Sequence, residues 1–102
     1  MREASMAYVV VLAFEGVTED QYWSVNENLG IGRDGKGDYP PGLIVHTGGP
    51  TPTGWLVSEV WDAKASQEAF MAGRLGAALG AAGLPAPAQV LDTDAVNFQN
   101  FG

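Results

Sequence analysis

Two neighbouring segments around the only histidine hold the residues best suited to chemistry. His46 follows an apolar run of three residues, and the segment Gly54–Trp61 begins after a loop rich in glycine and proline. Histidine is the side chain whose ordinary pKa lies nearest to neutrality, so His46 is a candidate general base or acid. Glu59 lies in sequence between two tryptophans and is the second candidate, since a carboxylate in apolar surroundings suits proton transfer.

The pairing register of these two segments decides which side chains face His46. Two-residue alternation gives the second segment one face with Trp55, Val57, Glu59 and Trp61, and another with Leu56, Ser58 and Val60. It also predicts that His46 points away from Leu43 and Val45. A slip of one residue would exchange the two faces. The sequence therefore leaves open whether His46 meets the tryptophan face or the Ser58 face.

Further aromatic and amide side chains are candidates for binding a small molecule. On the first predicted helix, Tyr22 should face the sheet, and Asn28 is placed to orient a ligand carbonyl or oxyanion. Tyr39 precedes two prolines in a loop that could close the mouth of a pocket. The complete set of candidates for substrate binding is Tyr22, Trp23, Asn28, Tyr39, Trp55, Trp61 and Phe70. Ordinary packing also accounts for each of them, and the sequence does not decide between the two roles.

Composition excludes several classes of function. The chain has 102 residues, a formal net charge of -7 and a pI of about 4.3, which disfavours nucleic acid and anionic membranes as partners. The absence of cysteine excludes thiolate nucleophiles and cysteine zinc sites. The segment Gly30–Gly35 matches G-x-G-x-x-G but follows a predicted helix instead of a strand, so it does not indicate nucleotide binding. We expect no cofactor, no bound metal and a cytoplasmic location.

The order of predicted elements is β-α-β-β-α-β. An apolar run over residues 7–14 predicts a central strand, and Thr18 begins a helix that Gly30 ends. Asp62 or Ser66 should cap a second helix, and an extended segment over 88–101 closes the chain. This order predicts an α+β, ferredoxin-like domain over residues 6–102, with a four-stranded antiparallel sheet and both helices on one face. Residues 1–5 should form a flexible lead.

The first strand is apolar on both sides, although the helices cover only one face of the predicted sheet. The other face therefore also needs a cover. A second copy of the chain, packed sheet to sheet, is the predicted partner, so we expect a homodimer.

The chain resembles the dimeric α/β-barrel proteins, in particular small actinobacterial members of the antibiotic-biosynthesis-monooxygenase-like group. The resemblance rests on the order of elements and on four short segments: His46–Pro50, Gly54–Trp55, Glu59–Asp62 and the following helix with Phe70. It implies a homodimeric barrel in which each subunit has a pocket between sheet and helices.

The resemblance also implies a class of reaction, namely cofactor-independent oxidation or cyclisation/isomerisation of a hydrophobic aromatic or polyketide-like substrate, with His46 as the acid or base. Haem degradation is disfavoured because the first strand has no asparagine and no histidine lies between Asp62 and Leu84. Two alternatives stay open: a non-catalytic small-molecule-binding homodimer, and an accessory subunit of a biosynthetic complex.

Overall fold

A computed structural model describes residues 7–101 of the chain. The elements are β1 (Tyr8–Glu15), α1 (Glu19–Leu29), β2 (Leu43–Thr51), β3 (Gly54–Trp61), α2 (Lys64–Phe70), a π-helical segment (Met71–Leu75), α3 (Gly76–Ala81) and β4 (Gln89–Asp94). The predicted lead over residues 1–5 lies outside the described residues, as do the two ends of the predicted domain 6–102.

The four strands form one antiparallel sheet in the order β2-β3-β1-β4. With helices inserted after β1 and β3, this is the predicted ferredoxin-like α+β arrangement, which is confirmed. Along β1, Tyr8, Val10, Leu12 and Phe14 are buried, whereas the residues between them are only half-buried. The core therefore lies on one side of the sheet, between β1, β3 and the helices.

Helix α1 begins and ends where the sequence predicts. The Thr18 hydroxyl accepts from the Gln21 backbone N–H at 3.3 Å, and the Gln21 side chain accepts from the Thr18 N–H at 2.9 Å. At the other end Gly30 adopts a left-handed φ of 81°, which a residue without a Cβ does at little cost. The Ile31 N–H then bonds to the carbonyl of Asn26 at 2.9 Å and completes the helix end.

The second helical region differs from the prediction at its start. Its N-cap residue is Ala63, with no side-chain capping bond, so both predicted caps are wrong. The Asp62 carboxylate instead accepts from the Ser66 hydroxyl at 2.7 Å, which engages both polar side chains with each other. The region continues through the π-helical segment and ends before Gly83, whose φ is 71°.

A β-bulge in β2 changes the predicted alternation. Leu43 pairs with Trp61 and Val45 pairs with Val60, so Ile44 is an extra residue without a partner in β3. The bulge places Leu43 on the helix side of the sheet together with His46, although strict alternation would separate them. The prediction that His46 points away from Leu43 is therefore wrong, whereas its direction opposite to Val45 holds.

In the described strands, the sheet face away from the helices is mostly apolar, and its one charged side chain is Glu15, at the end of β1. Strand alternation and pairing assign to it Val9, Val11, Ala13, Val45, Thr47, Leu56, Ser58, Val60, Gln89, Leu91 and Thr93. Leu56 is 39% exposed and Leu91 is 61% exposed. Beyond β4 the chain carries further exposed apolar side chains, Val96 and Phe101 among them.

A hydrogen bond between β1 and β4 gives a first test of the fold. The Tyr8 hydroxyl donates to Asp92 Oδ2 at 2.6 Å, and Lys64 Nζ lies 3.9 Å from the same oxygen. Burial, followed by this hydrogen bond, raises the pKa of Tyr8 well above its usual value near 10. Tyr8 therefore stabilises the fold fully below about pH 10, and this contribution is lost as the pH rises further.

Tyr8→Phe should lower the free energy of unfolding by about 1–2 kcal/mol at neutral pH, because it removes a bond to a charged acceptor. Tyr39→Phe is the matched control, since its hydroxyl donates to the Gly35 carbonyl at 2.7 Å in an exposed loop. Urea unfolding of both variants checks this. Equal losses in the two variants would contradict the assigned contribution of the Tyr8 bond.

Candidate functional site

A cavity of about 240 Å³ lies between the sheet and the helices. Apolar side chains from β1, α1, β3 and the second helical region form most of its wall. The elements α1, β2 and β3 also contribute polar side chains, namely Tyr22, Asn26, His46 and Glu59. A mostly apolar cavity with a few polar groups is typical of a site for a small molecule.

His46 and Glu59 are direct partners across β2 and β3, which resolves the open register. His46 therefore meets the tryptophan face of β3 and not the Ser58 face. Its Nδ1 lies 2.8 Å from Glu59 Oε2. The Glu59 side chain is only 7% exposed, whereas that of His46 is 28% exposed. The pair thus joins a buried carboxylate to an imidazole that reaches the cavity.

Trp61 supplies the second hydrogen bond to the buried carboxylate. Its Nε1–H donates to Glu59 Oε1 at 3.0 Å, so each carboxylate oxygen has one donor. This satisfies Glu59, which would be costly to bury without partners. Trp61 is itself fully buried, packs near Phe70 at 5.6 Å between ring centroids and does not line the cavity. It is therefore placed to hold Glu59 and does not reach a ligand there.

Tyr22 extends the chain of hydrogen bonds from the sheet to α1. Its Oη lies 2.6 Å from His46 Nε2. Because an ionised carboxylate can only accept, we infer that His46 carries its proton on Nδ1, so Nε2 accepts from the Tyr22 hydroxyl. Burial raises the pKa of the Tyr22 phenol. The Glu59 charge raises this pKa further, whereas a hydrogen bond with Asn26 lowers it. Tyr22 is therefore a neutral phenol at physiological pH. We call Tyr22, His46, Glu59 and Trp61 the relay.

Trp55 and Gly48 fix the position of the Tyr22 ring. The rings of Tyr22 and Trp55 lie 4.8 Å apart between centroids, at 29° between their planes. A Cβ on Gly48 would lie 2.9 Å from Tyr22 Oη and 3.1 Å from Trp55 Nε1, closer than side-chain contacts normally come. Glycine thus allows both rings to pack against β2. Within residues 7–101, Trp55 Nε1 is buried with no hydrogen-bond acceptor in reach.

The remaining predicted residues divide into two groups. Trp23, Tyr39, Trp55 and Phe70 line the cavity with Tyr22, His46 and Glu59. Asn28 does not, because its Nδ2 donates to the Ala78 carbonyl at 3.5 Å on another face of α1. Asn28 therefore lies outside this cavity, whereas Asn26 lines it. Asn26 is four residues after Tyr22, the spacing that places two side chains on one helix face.

Sequence reasoning also missed Arg33 and Gly48. Arg33 lines the cavity from the loop after α1. The residues next to Arg33 in the sequence do not distinguish it from an ordinary charged residue on the surface. Gly48 lies in a pair of glycines, and only the paired strand and helix show which of the two is in contact with the rings.

Within residues 7–101, no three histidine, cysteine, aspartate or glutamate side chains gather as a metal site would require. In the same part of the chain, no helix is both long enough and apolar enough to cross a membrane.

The two adjacent glycines of β2 offer a test of the packing around Tyr22. Gly48→Ala should lower the free energy of unfolding by about 1–3 kcal/mol, because the added Cβ must displace Tyr22 and Trp55. Gly49→Ala is the control, since a Cβ there meets nothing within 4 Å. Denaturant unfolding and near-ultraviolet circular dichroism would measure both effects. An unchanged aromatic spectrum in Gly48→Ala would refute the close contact.

Comparison with known proteins gives a likeness in fold. No protein-family model matches the sequence. No curated protein matches it either. The chain is similar in structure to a protein from Chloroflexus aurantiacus J-10-fl that is provisionally named an antibiotic biosynthesis monooxygenase, with a TM-score of 0.63 and 19% identity over 94% of this chain and 99% of that chain. The two proteins share the ferredoxin-like α+β fold.

Proposed function

We propose that the chain is a small-molecule enzyme of the antibiotic-biosynthesis-monooxygenase-like type, which moves a proton at one oxygen of a bound ring-containing substrate. The observation that supports this most directly is the continuous set of hydrogen bonds from Glu59 through His46 to Tyr22 at the wall of an apolar cavity. A carboxylate, an imidazole and a phenol in series are the parts that acid–base catalysis requires.

The proton moves in two linked transfers. A phenolic or enolic hydroxyl of the substrate gives its proton to Tyr22 Oη, while Tyr22 gives its own proton to His46 Nε2. The result is a substrate oxyanion and an imidazolium, with Tyr22 unchanged. The Glu59 carboxylate, 2.8 Å from Nδ1, stabilises the imidazolium. The reverse sequence protonates an oxyanion, so one arrangement serves both directions.

An ionised substrate in an apolar cavity is electron-rich and shielded from water. Such an anion can react with molecular oxygen or attack a carbonyl of the same molecule. Cofactor-independent oxidation and cyclisation/isomerisation therefore begin with the same proton transfer. Oxygen uptake separates the two outcomes, because only oxidation consumes it.

The cavity volume limits the substrate. At about 240 Å³ it is larger than the roughly 150 Å³ cavity that takes up benzene. One ring or two fused rings therefore fit, and a polyketide-like substrate would have to be a short one. The wall offers aromatic surfaces for such rings, Trp23, Trp55 and Phe70 among them.

The probe 4-nitrophenol tests the proton transfer, because its phenolate is seen by absorbance. Bound to the protein it should ionise at a lower pH than in water, and His46→Gln should lower the ionised fraction at neutral pH by about tenfold. Glutamine keeps a polar side chain of similar size but removes the base. Thr47→Val is the control, since Thr47 lies on the opposite face of β2.

Equal ionisation in wild type and His46→Gln, with binding retained in both, would favour the non-catalytic binding protein. Absence of binding would favour an accessory subunit. Oxygen uptake with 1,4-dihydroxynaphthalene, followed for wild type and His46→Gln, then identifies oxidation.

We further propose a homodimer that forms through the uncovered sheet face. That face is largely apolar, and its one charged strand side chain, Glu15, lies at the end of β1, so most of the contact between two copies of a chain with net charge -7 would join apolar surfaces. Half-buried residues of the central strand β1 would become fully buried.

Leu56→Asp should convert this dimer to a monomer, because it places a charge within the apolar contact. Ala81→Asp, on the exposed side of the helical layer, introduces the same charge elsewhere and should leave the dimer intact. Sedimentation velocity measures both. A wild-type monomer at micromolar concentration, or a dimer that survives Leu56→Asp, would contradict the proposal.

A further inference from the structure

Arg33 is a charged group at the cavity that the relay does not use. It belongs to the loop between α1 and β2, which contributes Arg33, Tyr39 and Pro40 to the cavity wall. Its guanidinium carbon lies 4.9 Å from the ring centroid of Trp23. A guanidinium over an aromatic face is attracted by the ring, which favours this position of the exposed Arg33 side chain.

Arg33 has no carboxylate within ion-pair distance among residues 7–101. By contrast, Lys64 lies 3.9 Å from Asp92, and Arg74 lies 3.4 Å from Asp38. The acid nearest to Trp23 is also engaged, since Glu19 Oε2 accepts from Trp23 Nε1 at 3.0 Å. An arginine without an acidic partner is unexpected in a chain with twelve acidic residues and five basic ones.

The loop that carries Arg33 is held in place at both ends. The Asp38 N–H bonds to the Gly30 carbonyl at 3.0 Å, and the Gly32 N–H bonds to the Lys36 carbonyl at 2.8 Å. Arg74 donates to the Leu29 carbonyl at 3.0 Å and also to the Asp38 carbonyl. Arg33 therefore projects from an ordered loop, which lowers the entropy cost of binding a ligand there.

Charge divides the cavity into two ends. The relay end contains the Glu59 carboxylate, which disfavours an anion, and the loop end contains Arg33, which pairs with no carboxylate among residues 7–101. Trp23 connects them, with its ring centroid 5.1 Å from that of Tyr22 and 4.9 Å from the Arg33 guanidinium. A ligand of one or two fused rings against Trp23 would therefore lie near both the phenol and the guanidinium.

We propose that the ligand of this cavity is a small ring-bearing carboxylate, with the carboxylate bound by Arg33 and a ring hydroxyl or enol directed to Tyr22. Guanidinium N–H groups match a carboxylate in geometry, and a carboxylate adds little volume to a ring. The inference rests on the proposed function, because it assumes that the cavity binds a small molecule, and it specifies which class.

A matched pair of probes tests the charge requirement directly. The probes 6-hydroxy-2-naphthoate and 6-hydroxy-2-naphthamide have nearly the same shape and differ in charge. Isothermal titration should give wild-type protein an affinity for the naphthoate about tenfold above that for the naphthamide. Arg33→Gln should remove this preference by weakening the naphthoate alone.

Lys36→Gln is the matched control variant. It removes the same charge from the same loop, but Lys36 does not line the cavity. It should leave the preference for the naphthoate unchanged at moderate salt. His46→Gln should also keep the preference, since the carboxylate binds at the other end of the cavity.

The outcomes separate the inference from the proposed function. Equal affinity of wild-type protein for both probes, or equal losses in Arg33→Gln and Lys36→Gln, would overturn the carboxylate site and leave small-molecule binding intact. If neither probe binds at millimolar concentration, the proposed function fails and the carboxylate site fails with it.

Discussion

The buried carboxylate of Glu59 is the constraint on which the arrangement of the site depends. A carboxylate that is 7% exposed requires a donor for each oxygen, and β3 alone provides only Trp61, two residues further along the same face. The second donor has to come from the neighbouring strand. His46 supplies it, and this choice fixes the imidazole with its Nδ1 toward Glu59. The free nitrogen, Nε2, then points to α1, where only the Tyr22 hydroxyl meets it.

Two local irregularities in β2 make this geometry possible. The bulge at Ile44 brings Leu43 and His46 to the same side of the sheet, so an apolar wall and a polar group face one cavity. Two residues after His46, Gly48 leaves room for the Tyr22 and Trp55 rings to contact the strand. Strand β2 thus departs from regular alternation at Ile44 and has no side chain at Gly48. In exchange it positions His46 within hydrogen-bond distance of both neighbouring elements.

The sequence predicts the elements of this fold better than their contacts. Thr18 and Gly30 bound α1 correctly because capping and left-handed helix ends are local properties of a few residues. The register of β2 against β3 is set by the turn between Thr51 and Gly54, and the run of glycines and prolines over residues 48–54 does not show where within it that turn falls. The position of Asn28 also depends on packing. The sequence offers it as a ligand-binding residue, but in the folded helix α1 it is Asn26, four residues after Tyr22, that lines the cavity. The sequence therefore identifies residues that are able to do chemistry. Which of them come together is visible only once the helix and the sheet are packed.

The relay and Arg33 are the groups by which this strongly acidic chain would accept the proposed anionic substrate. Glu59 is the one charged member of the relay when His46 is neutral. Its carboxylate accepts hydrogen bonds from His46 and Trp61. In the proposed reaction, a proton on Nε2 would give an imidazolium that offsets the Glu59 charge, so a substrate oxyanion would form beside a neutral ion pair and not beside a free carboxylate. A ligand carboxylate at Arg33 would lie at the opposite end, where the guanidinium is the nearest charge. Of the two negative charges of an ionised substrate, the carboxylate would thus lie beside Arg33, and the oxyanion beside the neutral pair of His46 and Glu59.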